Sequence, residues 1–150
     1  MQLEPAKFRT LVHALVASLS PEDAATIVGI SRLAVDADAT EDDDELAAYH
    51  VVATEICAAG GLDVDAVEEA EALKHRGPDD LEQRMLSYSG ALSTVGAKEL
   101  AYACANLLTM ADLAIQPSES KFLGELQAAL DLDDAREADL AGLVNAAVQV

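Results

Sequence analysis

Shifted by 74 residues, the chain superposes on itself. The run Leu33-Ala34-Val35-Asp36-Ala37-Asp38, six residues and Glu45 aligns with Leu107-Leu108-Thr109-Met110-Ala111-Asp112, six residues and Glu119. Leu33/Leu107, Ala37/Ala111, Asp38/Asp112 and Glu45/Glu119 are identical pairs. Farther on, Ala48/Phe122, Val52/Leu126 and Ile56/Leu130 keep apolar character at every fourth position, which is one face of a helix. Each copy reads as an apolar helix ending near an Asp, a short loop, and a second helix with Glu in its first turn. A unit of this kind cannot bury its apolar face alone, so the two copies are expected to pack on each other. The repeats span about 20–75 and 96–150.

The punctuation between these segments is helical throughout. Phe8, Leu11, Val12, Leu15, Val16 and Leu19 form one stripe, which predicts a first helix reaching Leu19. Ser20-Pro21-Glu22-Asp23 is a start signal, with Ser at the N-cap, Pro at the first helical position and acids behind it. The second helix runs through Ile27, Ile30 and Leu33 towards Asp38. A third, from about Asp43 to Ala59, stops at Gly60-Gly61. A short one from Asp63 to Lys74 is broken by His75-Arg76-Gly77-Pro78. Further helices are predicted near 79–92, 97–111, 117–130 and 134–148, with Asp131, Asp133 and Asp134 as the loop and cap before the last. The fold class is therefore all-α: one domain over 1–150, a compact bundle of seven to eight helices built from two pseudo-symmetric hairpin repeats. Aromatics are only 3% of the chain, so Ala, Leu and Val must fill its core. Met85, Leu86, Tyr88, Tyr102 and Met110 sit at helical spacings and read as core, while Glu68, Glu69 and Glu71 read as a solvated face.

Charge removes several functions. With 28 acids against 9 Lys plus Arg, the formal charge is −19, which argues against nucleic-acid phosphates and anionic lipid as partners. No run approaches the ~18–20 apolar residues of a membrane span, so no direct membrane insertion is expected. Glu4 and His13 interrupt the faint signal-peptide pattern around Lys7–Ser20. Cys57 and Cys104 are too few for a disulfide framework and suit a cytoplasmic protein. No Gly-x-Ser-x-Gly elbow, phosphate-binding Gly-Lys-Ser loop or Rossmann glycine pattern occurs. Glu45…His50 and Glu71…His75 have the wrong spacing for a di-iron bundle, and His50 with Cys57 makes only two zinc ligands. The chain is expected not to be an enzyme.

The acids themselves allow two readings. Residues 36–45 hold seven acids in ten positions, a crowding that a hard divalent cation such as Ca2+ would relieve. Asp38, Glu45, Asp112 and Glu119 are then the candidate ligands. Equally, Glu119 fits the third helical position if Pro117 is the first, and Glu45 fits it with Asp42 as N-cap completing a capping box, where carboxylates meet unsatisfied N–H groups without any cation. An EF-hand is excluded: from Asp36, position 6 is Glu41 instead of Gly and position 12 is Ala47 instead of Glu.

The segment from Met110 to Asp133, MADLAIQPSESKFLGELQAALDLD, resembles the TerB-like proteins of tellurite resistance. Ala111-Asp112, Ile115, Pro117 and Glu119 are in register with that family's Asp and its following Glu. The earlier copy keeps Ala37-Asp38 and Glu45, with Glu41 at the aliphatic position. Ala39 and Leu113 stand where the family has Gly. The resemblance implies a non-enzymatic scaffold or sensor in a response to tellurite or related chemical stress, acting in a protein assembly beside calcium-binding partners. The charge alone supports an alternative, an acidic module that docks on a basic partner with no metal site.

Overall fold

The computed structural model describes residues 3–36, 43–74, 81–109 and 117–148, leaving aside the side chains of 44, 74, 81, 117–119 and 148. Among the described residues there are eight helices and no strand: α1 (Pro5–Leu15), α2 (Pro21–Asp36), α3 (Asp43–Gly60), α4 (Val64–Lys74), α5 (Leu81–Ala91), α6 (Val95–Thr109), α7 (Pro117–Ala129) and α8 (Asp134–Val148). The all-α bundle expected from the punctuation is the observed architecture.

Local chemistry sets the helix ends. α1 is shorter than its apolar stripe predicts, because Val16 turns to an extended conformation (φ −135°, ψ 139°). Val16 and Leu19 still pack against the core, so the stripe continues into the connection although the helix does not. Ser20 caps α2, its Oγ accepting the Asp23 N–H at 3.1 Å. Asp23 in turn accepts the Ser93 N–H at 3.2 Å and the Ser93 hydroxyl at 2.6 Å, tying the first turn of α2 to the α5–α6 connection.

The two halves share one device between their third and fourth helices. After α3, Leu62 N–H reaches the Cys57 carbonyl at 2.8 Å and Gly61 takes φ +73°. After α7, Leu132 N–H reaches the Gln127 carbonyl at 3.1 Å and Asp131 takes φ +58°. Both are left-handed C-terminal caps; glycine meets no steric cost there, and Asp is among the few other residues that tolerate the region. Asp63 and Asp133 then bond the next helix, accepting from Asp65 N–H at 3.4 Å and Arg136 N–H at 2.7 Å. Val95 and Pro117 start 74 residues after Pro21 and Asp43, whereas Asp131 follows Gly61 by 70. One helical turn is therefore missing from α7 relative to α3.

α2 and α6 pack on each other at the centre. Around them, α2 meets α3, α4 and α5, while α6 meets α7, α8 and α1, so the three packings of α2 each have a counterpart at α6. The positions matched in the sequence, Leu33/Leu107, Val52/Leu126 and Ile56/Leu130, are all buried. Met85 and Tyr102 are also core, as expected, but Leu86 is exposed; Met110 lies outside the described residues. Among the described residues, no helix is long and apolar enough to cross a membrane.

Candidate functional site

Of the four acids singled out in the sequence, Glu45 is described in full. It occupies the third position of α3, and only 1% of it is exposed. A carboxylate there faces the positive end of the helix dipole, as the capping reading requires. Glu119 takes the same position in α7, its side chain outside the described set; Asp38 and Asp112 lie outside the described residues. At the opening of the acidic run, Asp36 is the last residue of α2 and its side chain is 4% exposed. The run thus begins and ends on buried carboxylates, at the carboxyl end of one helix and the amino end of the next.

Asp36 belongs to a buried charge network between α2, α4 and α5. Its Oδ1 lies 3.2 Å from Arg32 Nε, one turn back on α2, and its Oδ2 lies 3.8 Å from Arg84 Nη1 on α5. Arg84 Nη2 approaches Glu71 Oε2 of α4 at 3.7 Å, and the Tyr88 hydroxyl donates to that oxygen at 2.9 Å. Two guanidiniums face two carboxylates, which is the balance a weakly polarisable interior demands. A carboxylate at the negative end of a helix is unfavourable by itself, so the two arginines also offset the α2 dipole at Asp36. Glu71 corrects the expectation of a solvated Glu68–Glu69–Glu71 face: α4 turns it inward, where Arg84 and Tyr88 hold it, and it is 3% exposed.

Gly29 makes room for this arrangement. A Cβ built on it would stand 2.8 Å from Tyr88 Cζ and 3.2 Å from Glu71 Oε1, so only glycine lets Tyr88 lie across α2. Burial raises the Tyr88 hydroxyl above its usual range, and the neighbouring Glu71 carboxylate adds to that. Arg32 and Arg84 carry no local signal of this role in the sequence, and Tyr88, which reads there as core, packs against the core and also bonds Glu71. The one hint was compositional: a cation inside the apolar stripe of α2, in a chain with nine Lys plus Arg, needs a carboxylate partner nearby.

Beside the network runs a groove of about 470 Å³ between α3 and α4, with Arg32 behind it. His50 Nδ1 lies 3.0 Å from Glu68 Oε1 across it, an exposed pair, while Cys57 on the same helix is buried. Their shared helical face therefore does not give a shared site. Tyr49 lines the groove and carries the Arg32 guanidinium 5.7 Å from its ring centroid. The Tyr49 hydroxyl is buried, meets no hydrogen-bond partner among the described residues, and holds its proton well above the usual range, chiefly through burial and then through the Glu68 charge. An unsatisfied buried hydroxyl costs about 1–3 kcal/mol. Tyr49→Phe is accordingly expected to raise stability by about 1 kcal/mol, or Tm by about 2–4 °C in a chain of this length. Thermal denaturation followed by circular dichroism checks this, and a fall in Tm would mean that the hydroxyl is bonded.

The second half has no such buried network among the described residues. Its counterpart is nearer the surface: Arg136 of α8 forks onto Glu99 of α6, and the Tyr102 hydroxyl donates to Glu137 at 3.0 Å. Among the described residues no group of three or more His, Cys, Asp or Glu is placed to hold a metal ion; Asp38 and Asp112 are not in that set. Comparison with family models, curated proteins and solved structures finds no match.

Proposed function

We propose that the chain is a non-enzymatic, TerB-like module, a scaffold or sensor in a response to tellurite or related chemical stress, tuned by a divalent cation. The observation that carries this reading is the placement of the acidic run. It leaves α2 at its negative end, on buried Asp36, and enters α3 on buried Glu45. Charge neutralised between those two points acts directly on the packing of α2 against α3 and, through Asp36, on Arg32 and Arg84. A cation is favoured at a helix carboxyl end for the same reason that Asp36 is disfavoured there. Asp38 and Glu45 in the first half, with Asp112 and Glu119 in the second, are the ligands assigned.

Calorimetric titration of Ca2+, Mg2+ and Mn2+ into chelator-stripped protein tests it, with Tm followed in parallel. Ca2+ is expected to bind in the micromolar range and, at ten times Kd, to add about 1.4 kcal/mol of stability. Asp112→Asn with Glu119→Gln should remove the second half's share of the heat. No heat and no change in Tm at millimolar concentrations would return the four acids to capping roles.

A second reading, docking on a basic partner without metal, is favoured by where the cations are. Arg9, Arg32, Arg84, Lys121 and Arg136 each lie against a carboxylate of the chain itself. The remaining acids then supply an almost unopposed negative field, which attracts a cationic protein and weakens with salt.

A further inference from the structure

The two halves dock their last helices by different chemistry. α8 lies against α6 and α1 and buries Leu140, Val144 and Ala147, an apolar stripe at i, i+4 and i+7. α4 follows the same kind of left-handed cap but inverts that pattern. Among its described side chains only Glu71 is buried, while Leu73, on the opposite face, is 74% exposed. Val64 and Val67 are half-buried against the core, and the exposed pair of His50 and Glu68 adds a tie to α3. An exposed pair of that kind contributes little. The one deeply buried anchor of α4 is therefore a carboxylate, which accepts the Tyr88 hydroxyl at 2.9 Å and faces Arg84 Nη2 at 3.7 Å, in the space that Gly29 leaves.

Such an anchor lifts more readily than an apolar stripe. A stripe loses its burial as soon as the helix moves away, whereas a carboxylate that moves into water regains its hydration. Arg84 meanwhile stays beside Asp36, at 3.8 Å. Regions with few buried apolar contacts are the ones that open while the rest of a protein stays folded. The amino end of α4 is tethered, since Leu62 N–H bonds the Cys57 carbonyl and Val67 N–H bonds the Asp63 carbonyl. We propose that α4 is a displaceable arm that swings out as a unit about residues 61–63 while the other helices hold, and that Glu71 on Arg84 and Tyr88 is its latch. Opening uncovers Arg84, Tyr88 and the turn of α2 at Gly29, a recess that joins a guanidinium to a phenol. Closing fills that recess with the chain's own carboxylate, so the arm controls access to it. Neither a bound cation nor a basic partner is needed for this motion.

Native-state amide exchange of the full chain, followed residue by residue from zero to low urea, tests the arm and the latch separately. After correction for intrinsic rates, the amides of residues 68–73 are expected to exchange about a hundredfold faster than the slowest of α2 and α6, through an opening almost independent of urea. Glu71→Gln keeps the shape of the anchor and removes its charge, and should speed α4 by a further factor of about ten. Glu69→Gln, at an exposed position of the same helix, should change α4 by less than about twofold. Leu140→Ala weakens the core beneath α8 and should speed α6 by about tenfold or more while α4 changes by less than about twofold, because an arm that opens alone does not sense the stability of the rest. Amides of α4 as slow as those of α6, or accelerated with them by Leu140→Ala, would overturn the arm. Independent opening that ignores Glu71→Gln, or that responds equally to Glu69→Gln, would overturn the latch. If Leu140→Ala does not fold, the unmodified chain decides: α4 amides with the full urea dependence of global unfolding rule the arm out.

Discussion

Arg84→Met is expected to destabilise the fold by about 3 kcal/mol, the scale on which a buried charge network responds to loss of one member. Arg84 is the only residue that touches both acids of the network among the described ion pairs, at 3.8 Å to Asp36 and 3.7 Å to Glu71, and both carboxylate side chains are 4% exposed. Without it the two buried carboxylates lose the cation they share. Methionine fills the volume of the lost stem, so the measured loss reports charge and not a cavity. Adding Glu71→Gln removes the excess negative charge, and the double variant should recover more than half of the loss. Urea denaturation of the wild type, both single variants and the double variant gives the coupling directly. A single variant within about 0.5 kcal/mol of wild type would show that the guanidinium contributes only packing.

The sequence reading reached the fold because helix ends are written in local chemistry. Ser20 with Pro21, Gly61, and Asp133 each act within a few residues of themselves, and each does in the structure what its residue type predicts. The end of α1 departs from its apolar stripe for a related reason. Val16 and Leu19 are apolar because they meet the core, and an apolar stripe records burial whether or not the backbone stays helical. The missing turn of α7 is likewise hidden, since a shift of four residues keeps an apolar position on the same helical face: Ile56 and Leu130 still match at 74 although the caps, Cys57 with Gln127 and Gly61 with Asp131, lie 70 apart.

The site was only half legible. Glu45 and the acidic run stand out because their signal is contiguous. The partners of Asp36 are not contiguous: Arg84 lies 48 positions away on α5, and nothing in the local pattern of LEQRMLSYSGA says that α5 crosses α2. Glu68, Glu69 and Glu71 look alike in sequence, and only the packing of α4 against α2 decides that Glu71 is the one that points inward. Gly29 belongs to the same lesson. In the sequence it is a weak point in a helix, and in the structure it is the gap that Tyr88 fills.

Between pH 7 and about 9 stability is expected to be level, and above that to fall steeply, because Cys104, Tyr49 and Tyr102 are held in the core as groups that must lose a proton to become charged. Burial pushes the Cys104 thiol far above its usual range, and the hydrogen bond with Ser31 opposes that only weakly. Tyr49 is raised by burial and then by Glu68; Tyr102 is raised by burial and then by its bond to Glu137. In the unfolded chain these groups titrate at 9.0 for the thiol and 10.0 for the phenols. Below those values both states keep the proton and the folded state loses nothing. Above them the unfolded chain releases protons that the folded chain retains, so each such group lowers stability by about 1.4 kcal/mol per pH unit. Cys104 acts first, from about pH 9, and the tyrosines join it from about pH 10. Urea midpoints measured between pH 7 and 11 should show this two-stage fall, and Cys104→Ala should shrink the first stage, to which the buried Cys57 thiol, also raised by burial, contributes the rest, while leaving the second. A level profile to pH 11 would mean that the thiol and the phenols ionise in the folded state, which a buried thiol on α6, packed between α2 and α8, does not permit.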